Sequence, residues 1–311
     1  MKQEIERARL EGAGFRGELR FGAPLAPCTT MRVGGPADAL LCPEGLGDLA
    51  LALRVCAQNG IRLTPLGRGS NVIVGDDGLN GLTLLLGPLD GIWMEGGCLV
   101  RSGAGASLRA LSLFALGKGL SGLEFAEGIP GSVGGAVWMN AGAYDGEIAS
   151  VLEGVLAFDK EGEPHALKNA DCGFGYRHSA LMDSGLLIAE ASFRLKPGDP
   201  AAIKARMEGF SALRREKQPL ESPSAGSFFK RPPGHFAAKL IEEAGLKGLR
   251  VGGARISQKH AGFLINVGGA TAADIKALME LVQGEVFARF GVKLEPEVRF
   301  LEREGQAQCS C

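Results

Sequence analysis

Near the C-terminus, apolar residues fall at Ile275, Leu278, Met279, Val282, Val286 and Phe290, spaced three, one, three, four and four. That period predicts one buried face of a long helix. Thr271 stands at its N-cap position, with Asp274 in the first turn as the reciprocal partner. The same reading places a helix over 45–59, with Leu49, Leu53 and Cys56 at helical spacing and Gly60 just past its end. It places another over 107–117, capped by Ser107. Further helices are expected over 3–10, 236–244 and, basic and amphipathic, 201–216. Short apolar runs read as strands at 37–43, 62–66, 82–86, 98–102, 155–159, 186–194, 254–257, 262–266 and 292–300. The opening elements form a β-α-β-turn-β lobe, its crossover helix covering one face of a short sheet. A second lobe starts near residue 98, and Pro197-Gly198-Asp199-Pro200 breaks the chain before the last third. The stretch 219–233 reads as a loop.

Two glycine-rich runs interrupt this pattern. One is Gly128-Ile129-Pro130-Gly131-Ser132-Val133-Gly134-Gly135-Ala136-Val137-Trp138-Met139-Asn140-Ala141-Gly142-Ala143; the other is Pro65-Leu66-Gly67-Arg68-Gly69-Ser70-Asn71. Small apolar residues separate the glycines, so the first run is a buried wall and not a solvated linker. Bare backbone can approach a ligand closely, and converging N–H groups suit phosphate oxygens. A tight glycine turn in a packed sheet is the plainer reading and stands beside it. Two such walls on successive lobes suggest a large phosphorylated cofactor.

Composition narrows the field. Glycine, at 48 of 311 residues, is about twice its usual ~7% share, without a collagen period. A net charge of −1 argues against nucleic acid or an anionic membrane as the main partner. No apolar run reaches the ~18 residues of a membrane span, and the charged start Met1-Lys2-Gln3-Glu4 lacks the core of a signal peptide. Seven cysteines with no Cys-x-x-Cys pair fit a reducing cytoplasm better than a disulfide framework. Cys42, Cys56 and Cys98 read as small core residues, and the pair Cys309 and Cys311 as an exposed tail. Val72 stands where a dinucleotide fingerprint starting at Gly67 needs its third glycine, and there is no P-loop. His165, His178, His235 and His260 are scattered, so no metal site is expected.

Five motifs in order carry a resemblance: Pro65-Leu66-Gly67-Arg68-Gly69-Ser70-Asn71, the wall from Gly128 to Ala143, Tyr176-Arg177-His178-Ser179, Ala225-Gly226-Ser227-Phe228-Phe229-Lys230 and Leu294-Glu295-Pro296-Glu297-Val298-Arg299. Together they resemble the UDP-N-acetylenolpyruvoylglucosamine reductase family, from about Thr29 to Phe300. The resemblance implies an α+β chain: a two-lobed FAD-binding domain of the vanillyl-alcohol-oxidase type over 1–198 (lobes about 20–90 and 91–198), an α+β substrate-binding domain over 199–303, and a tail over 304–311. It implies a cytoplasmic, NADPH-dependent flavoenzyme of peptidoglycan precursor synthesis, holding non-covalent FAD. Two departures stand out. Cys28-Thr29 replaces a frequent Asn-Thr, so one polar contact near the flavin is either missing or supplied by Thr29 or Thr30. Both tyrosines, Tyr144 and Tyr176, precede Arg177, as expected of the shorter form that lacks a tyrosine-bearing insertion.

The resemblance also assigns roles. Arg177 and Glu297 are aimed at the substrate carboxylate and Ser227 gives a proton to the intermediate carbon. Without the resemblance, Arg177 is more simply a surface ion pair, Ser227 a turn serine and Glu297 a strand-end partner of Arg299. Cofactor candidates are Arg32, Gly67, Gly69, Ser70, Asn71, Gly128, Ile129, Pro130, Gly131, Ser132, Gly134, Gly135, Asn140, Gly142 and Ala143. Substrate candidates are Arg214, Lys217, Lys230, His260 and Asn266. A different FAD oxidoreductase of the same fold and a non-catalytic nucleotide-sugar or flavin binder are the competing classes. The three catalytic candidates together weigh against both.

Overall fold

In the computed structural model, the described residues are Leu10, 12–144 and 146–303. All but the last residue of the expected helix over 3–10, and the Cys309 and Cys311 tail, lie outside them. The chain runs β1 (Glu18–Phe21), β2 (Ala37–Cys42), α1 (Leu46–Gln58), β3 (Leu63–Leu66), β4 (Val72–Val74), β5 (Leu79–Leu85), β6 (Ile92–Gly96), β7 (Leu99–Gly103) and α2 (Leu108–Gly117). Next come α3 (Val133–Met139), β8 (Leu152–Phe158), β9 (Pro164–Lys168), β10 (Leu187–Arg194) and α4 (Pro200–Lys217). The last part holds β11 (Ser224–Ser227), α5 (Ala237–Glu243), β12 (Arg250–Val251), β13 (Ala254–Ile256), β14 (Phe263–Asn266), α6 (Ala272–Phe290) and β15 (Arg299–Leu301).

Packing groups these elements into two compact units that do not follow chain order. The first holds the described residues through Phe21, then Ala39–Arg68 and Gly81–Leu213. It contains a mixed sheet in the order β1-β2-β5-β3 and an antiparallel sheet in the order β9-β8-β10-β7-β6. One continuous apolar core runs through it, from Leu41, Leu49 and Leu84 to Val100, Leu111, Val137 and Phe193. Ser107 caps α2 by accepting the Ala110 amide at 3.0 Å, as its sequence position predicts.

The second unit holds Gly22–Asp38, Gly69–Asn80 and the chain from Arg214. Its antiparallel sheet runs β11-β14-β13-β12, and β15 pairs in parallel with β4. A separate core of Met31, Ile73, Phe228, Leu264, Ile275 and Val282 fills it.

Four local expectations change. The wall 128–143 contains a helix, α3, although Gly134 and Gly135 are poor helix formers. A Cβ at Gly134 would lie 2.8 Å from that of Ala104, so close packing against the strand end overrides propensity there. The expected loop 219–233 contains β11, whose Ser-Ala-Gly-Ser sequence carries no strand signal and whose register shifts before Ser227. The expected strand over 292–300 shrinks to β15, because Pro296 has no N–H for a ladder and makes only an isolated bridge with Phe229. On α6 the first five residues of the apolar face are buried, but Phe290 is 38% exposed. It lies about 60° around the helix from Ile275 at ~100° per residue.

Thr271 and Asp274 close the capping box on α6: the hydroxyl accepts the Asp274 amide at 3.0 Å and the carboxylate accepts the Thr271 amide at 3.1 Å. Amides of Gly253 and Thr271 hold the Asp274 carboxyl below its ordinary value. A carboxyl lowered on folding stabilises fully above its unfolded value of ~3.9, and that contribution is lost as pH falls through the folded value. Urea unfolding followed from pH 7 to 3 therefore shows a smaller acid loss for Asp274→Asn than for the unmodified chain. Thr271→Ala costs about 1 kcal/mol at neutral pH in the same assay.

Candidate active site

In the first unit, the glycine wall is anchored at both ends. The 3-10 turn Glu124–Ala126 precedes it, and the buried Glu124 carboxylate accepts from Ser121 Oγ at 2.7 Å, the Gly122 amide at 2.8 Å and Arg206 at 2.6 Å. Burial opposes ionisation of Glu124, but the Ser121, backbone and Arg206 contacts outweigh it and hold the carboxyl below its ordinary value. Ser132 then caps α3, accepting the Gly135 amide at 3.3 Å. A Cβ on Gly67 would lie 2.3 Å from Ser132 Oγ, so the two glycine runs meet here through a bare α-carbon and a hydroxyl. Gly128, Ile129, Gly131 and the residues 141–143 are half-buried, while Pro130 and Gly135 are exposed.

α3 ends at Asn140, a non-glycine residue in the left-handed region at φ 46°. Its buried amide reaches two ways, donating to Gly175 O at 2.9 Å and accepting the Ala149 amide at 3.0 Å. Two more ties join the same segments: Ser179 Oγ donates to Trp138 O at 2.7 Å, and the Arg177 guanidinium donates to Gly142 O at 3.1 Å. Arg177 sits in a tight turn closed by Gly175 and His178, with φ 52°, and its guanidinium lies 5.2 Å from the Tyr176 ring centroid. Arg177 is half-buried and Tyr176 is 58% exposed.

The second unit gathers the remaining candidates. Thr30 donates its amide to Gly69 O at 3.0 Å and its hydroxyl to Ser224 O at 2.7 Å. The Thr29 hydroxyl lies 3.1 Å from the carbonyls of both Ala26 and Val33. The two threonines expected beside Cys28 thus have their hydroxyls on main-chain carbonyls. Gly69 has φ 59°, and a Cβ there would lie 2.2 Å from Cys28 O. Arg32, exposed, has φ 57°. Asn71 donates to Glu297 O at 3.2 Å and accepts the Arg299 amide at 3.0 Å.

Lys230 and Glu297 lie on one backbone ladder, and Ser227 directly precedes it, paired instead with Phe263 on β14. The Glu297 amide donates to Phe228 O and the Lys230 amide to Glu295 O, each at 2.9 Å. Lys230 Nζ lies 3.7 Å from the Glu295 carboxylate. Ser227 is exposed and Glu297 half-buried.

The basic end of α4 and the turn after β13 are also joined, because Lys259 Nζ donates to Arg215 O at 2.6 Å. Arg214 is buried and Lys217 exposed. His260, two residues before Gly262, accepts the Gly262 amide at Nδ1 at 3.1 Å. Burial in the first place, and the nearby Lys247 charge, lower its pKa. Its ring is therefore neutral at pH 7.

Asn266 is committed to its own chain: its amide nitrogen donates to Met31 O at 3.1 Å, and its oxygen accepts the Gly268 amide at 2.9 Å and the Ala270 amide at 3.3 Å. Sequence reasoning missed Asp76, which accepts the first amides of α6, from Ala272 at 2.8 Å and Ala273 at 3.0 Å. A cap supplied from 196 residues away has no local signal.

Taken unit by unit, the candidates offer main-chain amides and the Ser132 hydroxyl in the first, and the Ser70 hydroxyl, the Asn71 carboxamide and the Arg32 cation in the second, with no carboxylate in either. That donor set fits a cofactor carrying a diphosphate, such as FAD. Among the described residues no group of three His, Cys, Asp or Glu could hold a metal ion, and no helix is long and apolar enough to cross a membrane.

Comparison with known proteins agrees with this chemistry. The family described as an FAD binding domain matches residues 37–168, and the C-terminal domain family of UDP-N-acetylenolpyruvoylglucosamine reductase matches 218–301. The chain is 47% identical over 302 residues to the UDP-N-acetylenolpyruvoylglucosamine reductase of Geobacillus kaustophilus, covering 97% of this chain and 99% of that one. It is 47% identical over 287 residues to that of Limosilactobacillus fermentum, covering 92% and 95%. The crystal structure of the reductase from Thermus caldophilus superposes with a TM-score of 0.79 at 38% identity, covering 92% and 99%. A glucooligosaccharide oxidase of Acremonium strictum matches with a TM-score of 0.50 at 14% identity, covering 94% and 59%. That last likeness concerns the fold. The fold class is thus α+β with an FAD-binding domain of the vanillyl-alcohol-oxidase type.

Replacing Asn266 by Leu leaves the Met31 carbonyl and the Gly268 and Ala270 amides without their partner. The Met31 carbonyl is the buried member of this set, and stranding such a group costs about 1–3 kcal/mol. Urea denaturation of Asn266→Leu should therefore show a loss of at least ~1 kcal/mol, whether or not nucleotide-sugar is present.

Proposed function

The chain belongs to the UDP-N-acetylenolpyruvoylglucosamine reductase family, and from that premise we propose how its residues divide the work. It is an FAD-dependent oxidoreductase that uses NADPH to reduce the enolpyruvyl ether of UDP-N-acetylenolpyruvoylglucosamine, giving UDP-N-acetylmuramate for peptidoglycan synthesis. The observation that carries this is the 47% identity running through 97% of the chain, over which all five motifs fall.

By task, residues 1–198 bind FAD and 199–303 bind the nucleotide sugar. This is a division of labour and not of packing, since 22–38 and 69–80 pack in the second unit. The glycine runs would hold FAD, with Arg32, Ser70, Asn71 and Ser132 as polar contacts and Asn140 fixing the end of α3 through Gly175 O and the Ala149 amide. When bound, the flavin accepts a hydride from NADPH and delivers one to the substrate. Hydride arriving at the terminal carbon of the enolpyruvyl group puts negative charge on the adjacent carbon and its carboxylate.

Arg177 meets that carboxylate with a planar fork of donors. Its bond to Gly142 O fixes one edge of the guanidinium. Glu297 acts as an acid toward the same group. Ser227 gives its hydroxyl proton to the carbon, which is basic enough to take one from a weak acid, and Lys230, on the ladder that Ser227 precedes, supplies positive charge. Arg214, Lys217 and His260 serve the diphosphate and sugar. Asn266 serves the site by holding the Met31 carbonyl, next to Arg32. The enzyme works in the cytoplasm, where its nucleotide substrates are found.

Purified protein should be yellow and release its flavin on acid precipitation. A colourless protein that takes up no FAD would overturn the assignment. Substituting Arg177→Met or Glu297→Gln should leave flavin content unchanged and lower turnover by about 10²–10³-fold, the effect of removing one donor at a developing oxyanion.

Ser227→Ala separates the half-reactions. Anaerobic stopped-flow absorbance should show flavin bleaching by NADPH at nearly the unmodified rate, with reoxidation by the enolpyruvyl substrate slowed ~10²–10⁴-fold. Reoxidation within about tenfold of normal would make Ser227 a turn residue, with the proton coming from elsewhere.

A further inference from the structure

Helix α4 carries an aromatic residue that the reaction scheme above leaves unused. Ile203 and Met207 are buried, and Phe210 and Arg214 continue the same face at helical spacing. Phe210 is stacked on Tyr144, with ring centroids 4.5 Å apart and planes 2° from parallel. The Tyr144 hydroxyl lies 3.4 Å from Phe210 O.

Tyr144 sits at the turn of a hairpin in which Gly142 pairs with Glu147 and Ala143 with Gly146. Its φ is 50°, a left-handed backbone that a bulky residue holds only where the surroundings over-determine it. Two residues away, Gly142 O accepts the Arg177 guanidinium. The stack is thus the outer support of a hairpin whose inner end orients Arg177.

The helix that presents Phe210 is itself fixed. Arg206, one turn earlier, donates to Glu124 at 2.6 Å and to Ser121 at 3.0 Å. Ser211 Oγ lies 3.5 Å from the buried Glu127 carboxylate. These ties fix the helix to the segment 121–127 that leads into the wall.

We propose that Phe210 is a positioning residue for Arg177, acting through its stack on Tyr144 and the hairpin carbonyl of Gly142. The proposal rests on the reading of Arg177 as the carboxylate-binding group. A guanidinium displaced by about 1 Å from a productive pose costs on the order of 10²-fold in rate. Loss of one aromatic contact, with the other hairpin ties kept, should cost about a tenth of that, roughly tenfold.

The test uses full-length flavoenzyme carrying Phe210→Ala, Phe210→Tyr, Arg177→Met and the double variant Phe210→Ala/Arg177→Met. Phe210→Ala should slow flavin reoxidation by the enolpyruvyl substrate roughly tenfold, with NADPH bleaching and flavin content unchanged. Phe210→Tyr, which keeps the ring, should restore the rate. In the double variant the Phe210 substitution should add nothing to Arg177→Met, since residues acting through one group are not additive. Hydrogen exchange of the amides in 142–147 should accelerate in Phe210→Ala and not in Arg177→Met.

Additive losses in the double variant, equal slowing of both half-reactions, or no change in either rate or hairpin exchange would overturn the proposal. If Arg177→Met alone leaves turnover unchanged, the role given to Arg177 fails, and faster hairpin exchange in Phe210→Ala then shows a support without a catalytic client, which also overturns it.

Discussion

The second unit depends on two loops from the first third of the chain being built into it through long-range polar ties. Thr30 bonds Ser224 O, Asn266 bonds Met31 O, Asn71 bonds Glu297 O, and Asp76 caps α6. Each tie joins groups separated by about two hundred residues, so loop-closure entropy opposes all of them. The bond from Asn266 to Met31 O is buried, where an unpaired polar atom costs about 1–3 kcal/mol, and the other three are part-buried. The apolar part of the joint is Met31, Val33 and Ile73, all at most 2% exposed. Arg32 lies between two of these anchored residues, and Ser70 beside Gly69, whose carbonyl Thr30 holds. Candidate cofactor contacts and the ladder of Lys230 and Glu297 are thereby tied to the same framework.

Self-packing accounts for some of the bare positions in the glycine runs and not for others. At Gly134 a side chain would strike Ala104, at Gly142 it would strike Gly146 O, and at Gly69 it would strike Cys28 O. These three are bare because the chain packs against itself. Gly135 is exposed, and its nearest neighbour is the Ser132 hydroxyl at 3.2 Å from a built Cβ. The packed-turn reading thus accounts for these three glycines, and Gly135 is one that self-packing does not require to be bare.

Periodic elements were legible in the sequence, and sites made by distant chain segments were not. Helix α6 could be placed from its apolar spacing and its Thr271 cap, and α1, α2 and α4 fall within a residue or so of expectation. Helix α3 escaped because its cap, Ser132, and its first turn, with the poor helix formers Gly134 and Gly135, lie inside a glycine run. Strand β11 escaped because two backbone pairings with β14 define it. Among candidate residues, Arg177, Ser227 and Glu297 were found through ordered motifs, while Phe210 and Asp76 carry no motif. Their meaning comes from partners 66 and 196 residues away.

Backbone strain marks the same places. Among the described residues, the non-glycine left-handed positions are Arg32, Asn140, Tyr144 and Arg177. Such a conformation costs of order 1–2 kcal/mol per residue for side chains other than glycine. Glycine at any of them would remove the cost, so the side chains must return something. Asn140 returns two buried hydrogen bonds and Tyr144 returns a ring stack. Arg177 returns a bond to the Gly142 carbonyl and a contact with the Tyr176 ring. Holding this arginine on strained backbone and tying its guanidinium to Gly142 O fixes where that group stands. It is a reasonable way to present a preorganised fork to a carboxylate, because the strain is met on folding and not again when substrate binds.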